Sequence, residues 1–393
     1  MACSGDCPEA APPPAAAKPR VRRRRATRRP PSTLWDSHAL ASLLGDYGAK
    51  TSHLNALRRG ALRTLRELAA RHASAEGGQT LATPLAWSCL DAATLVRKGD
   101  QLPTKLIEAL PEALCLGTTK VVEAPTSADG ATTKLLVELH DGHRIETVIM
   151  RHAKRTTVCV SSQIGCQMGC TFCATGTMGI IGDLSEGEIL EQLLHADLIE
   201  AAAGRPRVRN VVFMGMGEPL NNYKSVSGAV RGMTDENLFG LRRAHVTVST
   251  VGVVPYMRKL TDEHPGVNLA LSLHAPTQKG REEIIPTATA YPLPTLVAAL
   301  EYHLSKCKRS SNTHAVMIEY ILLSGVNDSE TEAKLLGELL KGMNVMVNLI
   351  PYNPTFAAGT HGYVLHSEEQ KNKTPKKPRL PLRVMILPLI SLY

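Results

Sequence analysis

Within the run SSQIGCQMGCTFCATGTMG, Cys166, Cys170 and Cys173 follow one another with the spacing C-x3-C-x2-C. Three thiolates are one fewer than a closed zinc or iron–sulfur centre takes. A [4Fe–4S] cluster held this way keeps one iron free of protein, and a small molecule can bind there and be reduced. Zinc is the competing reading, but it needs a fourth ligand, and neither Cys159 nor a distant histidine stands at the usual paired spacing. Phe172, between the last two cysteines, offers apolar shielding for a cluster.

Such a loop has to be held by a rigid scaffold, and the surrounding pattern supplies one. TVCVSSQ, VRNVVFMG, HVTVSTV, VNLALSL, AVMIEYILL and VMVNLIPY are apolar, β-branched runs that alternate with helical stretches. Strands buried on both faces and separated by helices predict a parallel α/β sheet. Six units are too few for a complete eight-stranded barrel, so the expected fold is an open, partial (β/α)6 barrel over residues 157–354. Residues 118–156 read as a β-hairpin extension, with KLLVELHDGHRIETVIMRH turning at Asp141–Gly142 in a type I′ turn. Residues 32–117 read as a small helical accessory domain. In LRRGALRTLRELAARH, Leu57, Ala61, Leu65 and Leu68 share one face and arginines occupy the other. After Pro354 the periodicity fails, and residues 355–393 are expected to form a divergent, poorly ordered tail.

In parallel barrels chemistry gathers where strands end. The first strand runs into the cysteine loop. The second ends in MGMGEPLNN, with Gly215, Gly217 and Glu218. The third ends at Ser249-Thr250, the fourth at Ser272-Leu273-His274 and the sixth at Pro351-Tyr352-Asn353. Polar groups recurring at these exits suit a zwitterionic nucleoside. Glu218 would face an ammonium, and Ser249, His274 and Asn353 would face hydroxyls, a carboxylate or a base.

VCVSSQIGCQMGCTFCATGTMG, VVFMGMGEPLNN, VTVSTVGVVP, LALSLHAP and NLIPYNP together resemble the radical S-adenosylmethionine (SAM) adenosine methyltransferases of the RlmN type. The resemblance covers about residues 144–354. It implies methylation at C2 of an adenine in ribosomal or transfer RNA, although a relative acting at C8 shares the same core. It also implies roles for individual residues. Cys166, Cys170 and Cys173 hold the cluster, and Gly217, Glu218, Ser249, Ser272, Leu273, His274 and Asn353 line the SAM site. Glu146 is the proton acceptor, and Cys159 is the thiol that resolves the protein–RNA adduct. The cofactors implied are a [4Fe–4S] cluster and SAM. The implied partners are RNA and an electron donor such as a flavodoxin or ferredoxin, with the enzyme a monomer.

In this family one SAM methylates a cysteine near the C-terminus, and a second generates the radical that activates that methyl group. Here the sequence departs from the pattern, because no cysteine follows Cys307. Cys307 itself lies in a helix-like stretch before the fifth strand and is a poor substitute. The resemblance combined with this gap implies SAM cleavage without RNA methylation. An altered transcript is the alternative origin of the tail. Two further readings are a catalytically impaired homologue that binds SAM or RNA, and a radical enzyme with another substrate.

Composition bounds the rest. The chain has 393 residues, 43% of them hydrophobic, and no apolar run of the ~18 residues a membrane span needs. Net charge is +9, yet residues 18–29 alone hold eight basic residues and no acid, which leaves +1 for all other residues. Residues 1–31 therefore read as a disordered basic leader. This leader and the basic helix face are the expected phosphate contacts. Nine cysteines, three of them at metal spacing, point to a reducing compartment. The location read from this is cytoplasmic, with a plastid or mitochondrion as the alternative through the leader.

Overall fold

The computed structural model describes residues 33–37, 50–75, 104–105, 108, 115–307, 316–353 and 383–386. Its centre is a ten-stranded sheet in the order β1-β2-β3-β4-β7-β8-β9-β10-β11-β12. The strands are β1 (Lys120–Glu123), β2 (Thr132–Glu138), β3 (Arg144–His152), β4 (Arg155–Cys159), β7 (Asn210–Phe213), β8 (Val246–Thr250), β9 (Asn268–Ser272), β10 (Val316–Leu322), β11 (Val345–Pro351) and β12 (Arg383–Ile386). From β4 to β12 every neighbouring pair is parallel, whereas β1 to β4 pair antiparallel. The six expected parallel strands are thus β4 and β7 to β11. The hairpin strands β2 and β3 join the parallel strands in one sheet, because β3 pairs directly with β4. A small two-stranded ribbon, β5 (Gln163–Cys166) with β6 (Gly179–Asp183), brackets the cysteine loop.

The helices are α1 (Thr51–Ala75), α2 (Ala174–Thr177), α3 (Glu186–Ala202), α4 (Tyr223–Thr234), α5 (Val254–Glu263), α6 (Gln278–Ile284), α7 (Leu293–Lys306) and α8 (Glu330–Leu339). Local chemistry starts α3 cleanly. The Glu188 N–H donates to Ser185 Oγ at 3.1 Å and the Ser185 N–H donates to Glu188 Oε2 at 2.9 Å, a capping box readable in SEGE. The helix is buried on nearly every side, because α1 and α4 both pack on it. The α1 face is the expected one: Leu57, Ala61 and Leu65 are buried.

Four sequence expectations need correction. Arg58 is not on a solvated helix face. It is 5% exposed, and its guanidinium donates to the carbonyls of Leu34 (3.0 Å) and Trp35 (3.4 Å). Arg66 is likewise committed, to Asp197. The turn at Asp141–Gly142 is not type I′, which needs φ > 0 at both central residues. Only Gly142 is left-handed (φ 81°), and the Gly142 N–H donates to the Leu139 carbonyl at 2.9 Å, so the loop is a turn closed by a left-handed glycine. Finally, Arg383–Ile386 of the tail forms a strand parallel to β11. Its four residues are too few to display a period. The leader and the remainder of the tail lie outside the described residues.

Candidate functional site

A cavity of about 310 Å³ opens where the parallel strands end. Its wall includes Cys166, Cys170 and Cys173 together with Gly217, Glu218, Ser249, Ser272 and His274. Eight of the residues read from sequence are therefore brought to one place. Leu273 does not line the cavity. Its side chain is 1% exposed in the core, and its N–H donates to the Leu271 and Glu319 carbonyls. Asn353, half-buried just beyond β11, also lies off the cavity wall.

The cysteine loop is folded tightly onto its ribbon. Gly165 (φ 78°) and Gly169 (φ 66°) allow the left-handed turns between which Cys166 sits. Burial pushes the Cys166 thiol up to about 11 and raises Cys170 further. After burial, the negative charges of Glu218 and Cys173 act on Cys166, and those of Cys173, Cys166 and Glu218 on Cys170, in the same direction. Thiolates in such a dry, self-repelling site call for a strongly cationic centre. Among the described residues no three His, Cys, Asp or Glu side chains converge on a single ion. Cys166, Cys170 and Cys173 all face one cavity, and three thiolates are the donor set that would hold a [4Fe–4S] cluster. The donor set fits a cluster better than a lone zinc.

Glu218 is 3% exposed, and its carboxylate accepts from the N–H groups of Leu220 (3.0 Å) and Val251 (2.9 Å). Burial nevertheless pushes it up to about 7. An unpaired carboxylate at a cavity wall is a receptor for a cation, such as an ammonium group. Its neighbour Gly217 has φ 100°, and an added Cβ would lie 2.5 Å from Gln163 Cβ. The backbone passes closer there than any side chain permits. The hydroxyls of Ser249 and Ser272 lie 3.3 Å apart on adjacent strands, one donor–acceptor couple facing the cavity.

His274 is the single non-glycine residue at positive φ (59°) among the described residues. Such strain marks functional positions. Burial lowers its pKa to about 3, so the ring is neutral. The Ile321 N–H donates to Nδ1 at 3.1 Å, which leaves the proton on Nε2 and makes that nitrogen a donor. Phe172 packs edge-on against this ring, with centroids 4.8 Å apart. The expected shielding aromatic therefore also fixes the histidine.

Glu146 and Cys159 are not cavity residues, but their strands place them together. β3 pairs with β4 so that Val148 faces Cys159, and Glu146 lies two residues along the same face. That face is half-exposed, whereas Ile145, Thr147 and Ile149 of the opposite face are buried. It continues through Val212, paired with Cys159, towards the cavity-lining Met214. Lys134 Nζ donates to Glu146 Oε1 at 3.1 Å. Burial pushes the Cys159 thiol up to about 12, so at neutral pH it is a thiol.

Two site residues escaped the sequence reading. Glu319, on β10, lines the cavity at 5% exposure, accepts from Asn348 Nδ2 at 2.7 Å, and is pushed up to about 7 by burial. A lone acid inside the apolar run AVMIEYILL was the available signal. Arg281 lies behind the exits of β8 and β9, and nothing in its own stretch marks it as buried.

A family model for the radical SAM superfamily matches residues 160–335. The dual-specificity RNA methyltransferase RlmN 1 of Myxococcus xanthus is 44% identical over 263 residues, 67% of this chain and 72% of that protein. A probable dual-specificity RNA methyltransferase RlmN of Thermus thermophilus is 45% identical over 261 residues, 66% of this chain and 72% of its own. Among solved structures, a radical SAM methyltransferase from Sphaerobacter thermophilus superposes with a TM-score of 0.75 at 34% identity, covering 91% of this chain and 95% of that one. The cofactors are accordingly a [4Fe–4S] cluster and SAM. With the cysteine triad and the strand-end polar groups gathered on one cavity, the chain belongs to the RlmN family of radical SAM methyltransferases.

Proposed function

We propose that this chain is a radical SAM enzyme of the RNA methyltransferase type directed at C2 of adenine, and that residues 1–393 cleave SAM without delivering a methyl group. The observation that carries the first part is the cavity that joins Cys166, Cys170 and Cys173 to Glu218, Ser249, Ser272 and His274. When bound there, the cluster supplies the electron that splits the sulfonium of SAM. Glu218 holds the ammonium, the paired serine hydroxyls and His274 Nε2–H hold polar groups of the nucleoside, and Phe172 and Ile321 keep water out. In a form that carries the methyl-bearing thiol, Glu146 and Cys159, on the adjoining sheet face, would act as proton acceptor and adduct-resolving thiol. At about 12 the Cys159 thiol needs a base before it can attack. The electron comes from a flavodoxin- or ferredoxin-like donor. Among the described residues no helix is long and apolar enough to cross a membrane. A cytoplasmic location and a monomeric state are part of the same proposal.

The second part rests on the absence of any cysteine between Asn353 and Tyr393, the segment where the family carries its methyl-bearing thiol. The test is anaerobic incubation of reconstituted protein with methyl-labelled SAM, a reductant and adenine-containing RNA. Deoxyadenosine without labelled RNA is the expected result. Labelled C2-methyladenine at normal turnover would refute the impaired form. Absence of both SAM binding and deoxyadenosine would refute the radical SAM reading itself.

RNA as the substrate class draws support from a surface that the sequence scatters. Lys154, Arg155, Arg209, Arg242 and Arg243 are exposed and ion-pair with no described carboxylate. They lie at the starting edges of the adjacent strands β4, β7 and β8. The basic character expected only of the leader and α1 thus has a counterpart on the barrel. His245, beside them, is lowered by burial and then by Arg209, Arg242 and Arg155. A ridge of unpaired cations suits a phosphate backbone. Replacing Arg155, Arg209 and Arg242 together with glutamine should lower the slope of log affinity against log salt by about 2, at 0.7–0.9 per phosphate contact. SAM binding should not change. A wild-type salt slope in that variant would place the RNA elsewhere.

A further inference from the structure

Arg281 is 1% exposed and stays charged, since burial lowers it only to about 10. Its Nη1 donates to the carbonyls of Ser272 (3.2 Å) and Leu273 (2.5 Å), and its Nη2 donates to that of Val251 (2.8 Å). Its Nε has no partner. No described carboxylate forms an ion pair with it. Three neutral carbonyls orient a guanidinium but do not cancel its charge, and an uncompensated buried cation is costly.

The candidate anion lies on the cysteine loop, which packs against the helix that carries Arg281. The cysteine loop rests on α6. The Thr171 N–H and Oγ1 both donate to the Ile284 carbonyl, at 3.0 and 3.2 Å. Cys170 packs with Ala275, Ile284 and Ile285 in an apolar cluster separate from the main core. Once it is a thiolate ligand, the Cys170 sulfur is the charge that favours the protonated guanidinium. A [4Fe–4S] cluster on three thiolates carries a net charge of −1 when oxidised and −2 after taking up one electron from a low-potential donor. Glu218 and Glu319 line the same cavity and oppose that electron. Among the described residues, Arg281 is the buried cation on the helix against which the cysteine loop packs, and it is placed to favour it.

We propose that Arg281 is the counter-charge of the cluster: a positioning residue that ties the β8 and β9 exits together and makes the cluster easier to reduce. This rests on the cluster assignment, which the iron and sulfide content of the wild-type protein tests separately. No bond forms or breaks in the step concerned; one electron enters the cluster, and the guanidinium offsets part of the added charge.

The experiment compares R281K with the neutral variants R281Q and R281M in reconstituted protein without SAM, using a redox titration followed by electron paramagnetic resonance. At a fixed solution potential the reduced-to-oxidised ratio should fall about tenfold in the neutral variants, or about 59 mV for a one-electron couple. It should stay close to wild type in R281K. If the neutral variants fold but do not load iron while R281K does, the counter-charge is again supported. Wild-type potentials in R281Q and R281M would overturn the proposal. So would an R281K as displaced, or as poorly loaded, as the neutral variants, because the guanidinium fork rather than its charge would then be what matters.

Discussion

Alanine at Cys166, Cys170 or Cys173 is expected to abolish deoxyadenosine formation from SAM, by at least about a hundredfold for each single variant. Changing even a group behind a metal ligand costs 10–100-fold in metal affinity, and these side chains are the ligands themselves. The fold should survive. One backbone contact to Cys166 Sγ is a long one, from the Met168 N–H at 3.5 Å, and the loop is anchored independently by Thr171 on Ile284 and by Thr287 Oγ1 on the Met168 carbonyl. Iron and sulfide content should fall together with activity while the melting transition changes little. Cys159→Ala separates ligand from non-ligand, since it should load a normal cluster and cleave SAM at the wild-type rate. A Cys170→Ala protein with full iron content and normal deoxyadenosine production would remove the cluster from this cavity.

Glu218→Gln is expected to weaken SAM binding about 10- to 100-fold, the range for loss of a charge-assisted hydrogen bond of ~1.5–3 kcal/mol. It should also change the pH dependence of the ligand-free protein, and the signs can be worked out. Burial holds Glu191, Glu218 and Glu319 at about 7, above the ordinary carboxylate value of 4.5. Between pH 7 and 4.5 these groups bind protons in the folded state before the unfolded state does, so acidification stabilises through them. Burial holds His195 and His264 at about 4 and His274 at about 3, below 6.5. Between pH 6.5 and about 4 the unfolded state binds their protons first, so acidification destabilises through them. From these six groups the two trends oppose each other between pH 6.5 and 4.5, and the histidine loss stands alone below that. Glu218→Gln removes one of the offsetting carboxylates. Its stability relative to wild type should therefore fall on acidification by up to about 1.4 kcal/mol per pH unit, measured by denaturant unfolding. A gap between variant and wild type that stays constant with pH would show that Glu218 is already ionised in the empty cavity.

How far the residue pattern went depended on what kind of information each feature needs. The cysteine loop was legible because its three ligands are local in sequence. The six parallel strands were legible because strands covered on both faces read as continuous apolar runs. The strand exits followed from those boundaries, and Glu218, Ser249, Ser272 and His274 came with them. What escaped was long-range. Arg281 lies in QKGREEI, which reads as an exposed amphipathic turn; its burial comes from the carbonyls of Val251, Ser272 and Leu273 on other elements. The ridge of Arg155, Arg209 and Arg242 is assembled by strand pairing from three separate connections. β12 was missed because a four-residue strand shows no period. The turn at Gly142 was misassigned because Asp-Gly is compatible with more than one hairpin loop and the flanking register decides between them.

The direction of β12 has a consequence for how the tail meets the chemistry. Because Arg383–Ile386 runs alongside β11 in the same sense, the polypeptide leaves that strand at the end of the sheet where the cysteines and Glu218 stand. Any peptide fused behind Ile386 begins its path at the rim of the reaction chamber. A sulfur-bearing segment grafted at that junction starts from the correct end of the molecule, and the graft becomes a matter of linker length rather than of refolding the scaffold.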